Sequence, residues 1–343
     1  MSEVISVERP KNGRSKKHKP SWQTSNRQCH DGAKGREREV NPQVFVWKLI
    51  ALSFLVSVCI VGIRIFDGME KFILMIVMGL LLAHSTELVH QCLHRLATGK
   101  SAWDHALGMA LGYLSGVSFW NYLWFHLWHH KHNGTKDDME SFGYVYQLLE
   151  SPSRAKRIFG FAYHLSMIGH YVTALRRMES ALRGRLAGKL QAENPAMIRP
   201  IALKIQRDYV IMAGLLVAAI SVSVAFQTWL VVEVWLVPLL IAWGPVHALI
   251  ELPEHWACDR PCADPFANTR TIQAGLFARW FTNNNCNHVG HHYDMSVPME
   301  RLPAYEESLM LQHNFKHMES SYHSFYWRFL KLLVSGRRPQ GDA

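Results

Sequence analysis

The stretch Val44–Ile63, VFVWKLIALSFLVSVCIVGI, holds twenty residues and a single charge, Lys48. A helix of that length is about 30 Å long, which matches the hydrocarbon core of a bilayer. A surface helix of a soluble domain would carry one polar face, and this stretch has none, so it predicts a membrane span. A second apolar run, Phe72–Ala83, is shorter and continues without a breaker through Glu87 to His90, which predicts a helix whose far half leaves the lipid. Tyr209–Gln227 and Trp229–Ile250 form another pair with a tight link at Gln227-Thr228. Pro238, inside the latter, is tolerated in a membrane helix when neighbouring helices satisfy the freed carbonyl. Ala102–Phe125 is apolar and aromatic but interrupted by Asp104, His105 and Asn121, and reads as interfacial helices. The expected fold is an all-α integral membrane protein with four transmembrane helices in two hairpins, interfacial helices and a histidine-rich cap. Its divisions are a basic, disordered tail over 1–42, a membrane domain over 43–335 and a short tail over 336–343.

Charge orients this arrangement. Residues 1–42 carry ten Lys/Arg against five Asp/Glu, and 151–207 is again rich in arginine. The positive-inside tendency puts both segments, and hence both termini, in the cytosol. The net charge of +10 is accounted for by such loops beside anionic headgroups, and no nucleic-acid partner is expected. The first 42 residues also lack the apolar core of a secretory signal. Six cysteines, Cys29, Cys59, Cys92, Cys258, Cys262 and Cys286, contain no CxxC pair, and reduced thiols are expected on the cytosolic side. Cys258 and Cys262 are a weak alternative metal pair.

Histidine spacing carries the chemistry. His90–His94 reads HxxxH, while His126–His130 and His288–His292 both read HxxHH. With 20 histidines in 343 residues an HxxHH is expected well under once, yet two occur. An HxxxH is expected about once, and His313–His317 is another, so the first box means nothing alone. Residues three and four apart share a helix face, so each box aims two or three imidazoles at one point. A single site takes about four ligands, so eight converging histidines suit two ions better than one. The hairpins return to the cytosolic side just before His90 and just before His255, which puts all three boxes on one face of the membrane. Imidazole suits iron, zinc, copper or nickel. The apolar and aromatic setting favours activation of an alkyl C–H bond over hydrolysis of a soluble substrate.

From about His84 to Pro303 the chain resembles the membrane fatty acid desaturases, with their hydroxylase and carotenoid-oxygenating relatives. The resemblance rests on the three boxes in order, the two hairpins, Glu251-Leu-Pro-Glu-His255-Trp-Ala-Cys-Asp259 with Asn268-Thr-Arg-Thr271, and Val297-Pro298 with Leu302-Pro303. It implies a non-haem centre of two iron ions, dioxygen (O2), a lipid or acyl substrate, and electrons from a separate ferredoxin or cytochrome b5 type donor. It implies His90, His94, His126, His129, His130, His288, His291 and His292 as ligands. A further ligand from the end of the last span matches His255 best, with Glu251 one turn before it and His247 as competitor. Two positions depart from the family pattern: Gln91 stands where an acid is usual, and Gly290 where Glu is common. The expected activity is fatty acyl desaturation. Hydroxylation or ketolation of a lipid or terpenoid chain is the alternative, and a histidine-rich metal transporter is a third reading.

Around the boxes, Glu87 falls about 20° from His94 in helical azimuth and is expected to orient its ring. Asp137, Asp138 and Glu140 are expected to face solvent, and His313, His317 and His323 to be solvated. His132 and His84 point away from their boxes and are expected to stay outside the site. One amide among Asn283, Asn284, Asn285 and Asn287 is a candidate to meet a metal-bound water.

Overall fold

The computed structural model describes residues 39–138 and 143–336. The basic tail up to residue 38, Cys29, Glu140 and the last seven residues lie outside the described residues.

The first hairpin pairs α1 (Pro42–Ile65) with α2 (Gly68–Leu93). Asn41 caps α1 by accepting the Gln43 N–H, and Pro42 stands at its first turn, where a missing N–H costs nothing. Of the most apolar part of α1 only 17% is buried, against 67% for α2, which makes α2 the central span and α1 a lipid-facing one. Trp47, Ile50, Phe54 and Val61 of α1 are all exposed, the expected placement against acyl chains.

Two shorter helices follow, α3 (Ser101–Leu114) and α4 (Phe119–His132), the segment expected to be interfacial. A peripheral series comes next: α5 (Gly143–Leu149), α6 (Arg154–Ser166), α7 (Ile168–Leu182) and α8 (Leu186–Glu193). The second hairpin begins with α9 (Arg199–Ala225), ten residues earlier than its apolar run. Its extra turns are held by Asp208, whose carboxylate accepts from Tyr113 Oη at 2.8 Å, Ser118 Oγ at 2.9 Å and the Trp120 N–H at 3.0 Å. An anion is favoured at the start of α4, where backbone N–H groups lack helical partners, so this contact fixes α4 against α9.

The fourth span covers Val232–His255. It opens with π-helical turns at Val232–Leu236 and Leu239–Trp243 on either side of Pro238, then continues as α10 (Gly244–His255). Proline removes one N–H and crowds the preceding turn, and the widened turns absorb it. α2 lies against this span: a Cβ on Gly79 would come 2.4 Å from Ala242 Cβ and 2.6 Å from the Pro238 carbonyl oxygen. Only glycine permits that approach.

The remainder forms the cap, with α11 (Pro265–Asn268), α12 (Leu276–Phe281), α13 (His288–Tyr293), α14 (Leu302–Met310) and α15 (Tyr322–Ser335). Two short strands, β1 (Thr271–Ile272) and β2 (Met318–Glu319), pair in parallel with Thr271 opposite Met318. The architecture is the expected one: mostly helical, with four membrane spans and a histidine cluster at one end.

Candidate metal centre

The boxes ride on three elements that end at the same place. His90 is in the last turn of α2 and His94 is its C-terminal cap residue, α4 carries His126, His129 and His130, and α13 carries His288, His291 and His292. His255 is the last residue of α10. The side chains sort into two adjoining sets. His90, His94, His126, His130 and His291 offer nitrogens all within 4.8 Å of one another. His255 joins a second set with His129 and His292, and a third grouping with His288 and Glu254. All nine expected imidazoles thus meet, five on one side and four on the other.

Hydrogen bonding alone does not account for this packing. His126 Nε2 lies 2.8 Å from His90 Nε2, 3.0 Å from His94 Nε2 and 3.0 Å from His130 Nε2. A ring nitrogen has one N–H or one lone pair, so it cannot satisfy three such neighbours. Buried His291 has no hydrogen-bond partner at either ring nitrogen, and His292 has none at Nε2. Buried polar atoms are ordinarily paired, and converging lone pairs without donors are what a cation requires. The donor set fits a nitrogen-rich site for two transition-metal ions.

The electrostatics agree. Burial, reinforced by the neighbouring imidazoles, holds His126, His130, His288, His291 and His292 well below the usual histidine range, and burial brings His94 down to about 3. Neutral rings with free lone pairs are the ligating form.

Outer atoms of several rings are held by the protein. His129 Nδ1 donates to Asp138 at 3.0 Å, His255 Nδ1 to the Asn268 carbonyl at 3.1 Å and His288 Nδ1 to Asn285 Oδ1 at 3.1 Å. The Asn133 amide lies 3.3 Å from His292 Nδ1. The bonds to Asp138, the Asn268 carbonyl and Asn285 each place the proton on Nδ1 and turn the Nε2 lone pair inward. Asp138, expected in solvent, has a side chain only 3% exposed, because the loop after α4 folds back over His129. Asn285 also donates to Glu254 Oε1 at 3.0 Å, and Glu254 Oε2 stands 3.4 Å from His288 Nε2. Glu254 and Asp138 are the site residues that sequence reasoning missed. The signal for Glu254 was its position directly before His255; for Asp138 there was none beyond proximity to the second box.

Two expected roles change. Glu87 makes no hydrogen bond to His94, because an offset of seven positions carries it about 10 Å down the α2 axis despite the shared azimuth. Its buried carboxyl instead faces the cavity that adjoins His247, Glu251 and Asn285. Glu251 pairs with His247 at 3.0 Å, so His247 is engaged one turn away from the imidazole sets while His255 is inside them. His84 and His132 stay outside the sets: His84 donates to the Phe281 carbonyl at 2.8 Å, and His132 stacks on Trp128. His317 is not simply solvated, since Asp259 accepts from its Nε2 at 3.2 Å, and His313 stacks on Phe266; His323 is exposed. Among the described residues no cysteine joins the sets.

The departures from the family pattern have local accounts. Gln91 Oε1 accepts from Lys48 Nζ at 3.2 Å and Asn283 Nδ2 at 3.0 Å, which ties Lys48 of α1 to the first box. At Gly290 the backbone N–H donates to Glu306 Oε2 at 2.8 Å, and a Cβ there would stand 3.2 Å from that oxygen. Glu306 thus occupies the space beside the third box, and burial pushes it up to about 7.

A cavity of about 40 Å3 adjoins both sets, lined among others by Glu87, His90, Tyr122, His126, Glu254 and His255. It has room for water-sized molecules.

A family model described as fatty acid desaturase matches residues 71–326. The chain belongs to the fatty acid desaturase family. The match contains every box, His255, Asp138 and Glu254, together with the last two spans and all but the first three residues of the second. Comparison with curated proteins finds no match. For this desaturase-family protein the membrane setting and the clustered imidazoles are therefore parts of one membrane-bound centre.

Proposed function

We propose that the protein is an oxygen-dependent non-haem di-iron fatty acyl desaturase that inserts a double bond into an acyl chain. The observation that carries this reading is the convergence of nine imidazoles, in sets of five and four, at the end of a membrane-helix bundle. His90, His94, His126, His130 and His291 would hold one iron, and His129, His255, His288 and His292 the other, with Glu254 beside the second. Bound iron would supply reduction of dioxygen and removal of hydrogen from an unactivated methylene, with electrons from a separate ferredoxin or cytochrome b5 type donor.

The chain's own residues prepare that chemistry. Burial keeps the rings neutral, while Asp138, Asn285 and the Asn268 carbonyl fix three of them by accepting Nδ1–H. Tyr122 packs against the rings of His90 and His126 and holds them from that side. The lysine and arginine content of residues 1–42 and 151–207 supports a cytosolic active site with both termini on that side. A site at the ends of the spans also differs from the mid-bilayer placement usual for transporters.

The test is expression with a suitable reductase, followed by lipid mass analysis. The expected product has lost two hydrogens per modified chain, and a His129→Ala variant that still folds should abolish it. Gain of one oxygen would replace desaturation with hydroxylation or ketolation. Unchanged chains in the presence of reductase, or full turnover by the variant, would overturn the assignment.

A further inference from the structure

A second cavity, of about 400 Å3, lies between α8 and the first turns of α9, and it is basic. Arg185, Lys189 and Arg199 line it with Gln191, Gln206 and Leu203. None of these residues belongs to the histidine centre. Among the described residues the three cations have no ion-pair partner, whereas the adjacent Arg183 pairs with Glu179 at 2.9 Å. Three unpaired cations around one space repel one another, and an anion would relieve that. Gln206 Oε1 accepts the Ala187 N–H at 3.0 Å, which leaves its NH2 as a further donor. Gly184 and Gly188 leave the floor open, since a Cβ on either meets nothing within 4 Å.

Position names the class of anion. The apolar run of α9 begins near Tyr209, and Gln206 and Leu203 precede it by about 4.5 and 9 Å along the axis, the depth of a headgroup layer. Ile198 and Leu203 are exposed beside the cavity and continue the lipid-facing side of α9. α7 adds independent support. Its Ile168, Val172 and Leu175 are exposed at four- and three-residue spacing, an apolar stripe for the membrane interface.

We propose that this cavity binds the phosphate of an anionic phospholipid, held by Arg185, Lys189 and Arg199, as a resident lipid distinct from the acyl substrate. Guanidinium groups match phosphate oxygens in paired geometry, and a zwitterionic headgroup would bring its own cation among three others.

Native mass spectrometry of the full-length protein in mild detergent tests this with phosphatidylglycerol, phosphatidylcholine and inorganic phosphate as probes. Wild type should retain phosphatidylglycerol over phosphatidylcholine, and R185Q/K189Q/R199Q should reduce that preference by about fivefold per cation removed. R185K/R199K, which keeps the charges, should retain most of it. Should the triple variant fail to fold, Lys189→Gln alone, a surface change, should still lower the preference about fivefold. Equal preference in wild type and variants would overturn the site. Inorganic phosphate held as strongly as phosphatidylglycerol would overturn the lipid as its occupant.

Discussion

His129 shows what a single buried contact contributes. Its Nδ1 meets both Asp138 oxygens, at 3.0 and 3.1 Å, which leaves Nε2 directed at His255 Nε2, 3.1 Å away. Removing such an outer partner ordinarily costs about 10–100-fold in metal affinity. Asp138→Ala should therefore lower iron retention by about that factor while membrane insertion is unchanged, and Asp137→Ala, an exposed neighbour, should not. Iron content after dialysis against a chelator is the measurement, and equal retention in the two variants would refute the role. At this scale spacing along the chain revealed the eight box imidazoles because each box repeats within one or two helical turns, while the ninth, His255, was indicated only by the resemblance to the desaturase family. It concealed Asp138 and Glu254, because a carboxylate beside a histidine in sequence looks the same whether a loop folds over the site or away from it.

Among the elements, α2 matters most because it carries the first box and is packed through Gly79 onto the fourth span. Adding a methyl group there forces the helices apart or the backbone to shift. Gly79→Ala should destabilise the protein by about 1–3 kcal/mol and, by moving His90 relative to His255, reduce iron loading. Gly214→Ala on α9 is the matched control, since a Cβ there meets nothing within 4 Å and helix propensity favours alanine by roughly 0.5–1 kcal/mol. Thermal unfolding in detergent compares the two, and a neutral Gly79→Ala would show that the spans are not in tight contact. Apolar run length located all four spans but not their ends. α9 begins ten residues early because Asp208 anchors its polar first turns to α4.

For the whole molecule, the imidazole cluster sets the response to acid. Unfolded histidine titrates near 6.5, and burial holds the folded rings outside the spans below that, His94 at about 3. Between those limits the unfolded chain binds more protons, so the metal-free protein is most stable above about pH 6.5 and loses stability as pH falls through and below that value. Glu306 has the opposite sign: raised to about 7, it favours folding in acid and loses that contribution as pH rises through 7, but it is one group against several imidazoles. The melting temperature of metal-free protein should thus fall steeply from pH 7 to pH 5. Iron should shift the fall to lower pH because metal and protons compete for the same lone pairs. A flat profile over that range would contradict a buried neutral cluster.

Sequence by itself determined the class of fold, the four spans and the eight histidines of the three boxes. These depend on patterns local to the chain: an apolar run must match the bilayer, and histidines three or four apart share a helix face. Only the tertiary structure decided the division into five and four, the choice of His255 over His247 and the burial of Asp138. Those outcomes depend on contacts between residues far apart in sequence, such as His129 with His255 across 126 positions. No local periodicity encodes which helix end arrives beside which.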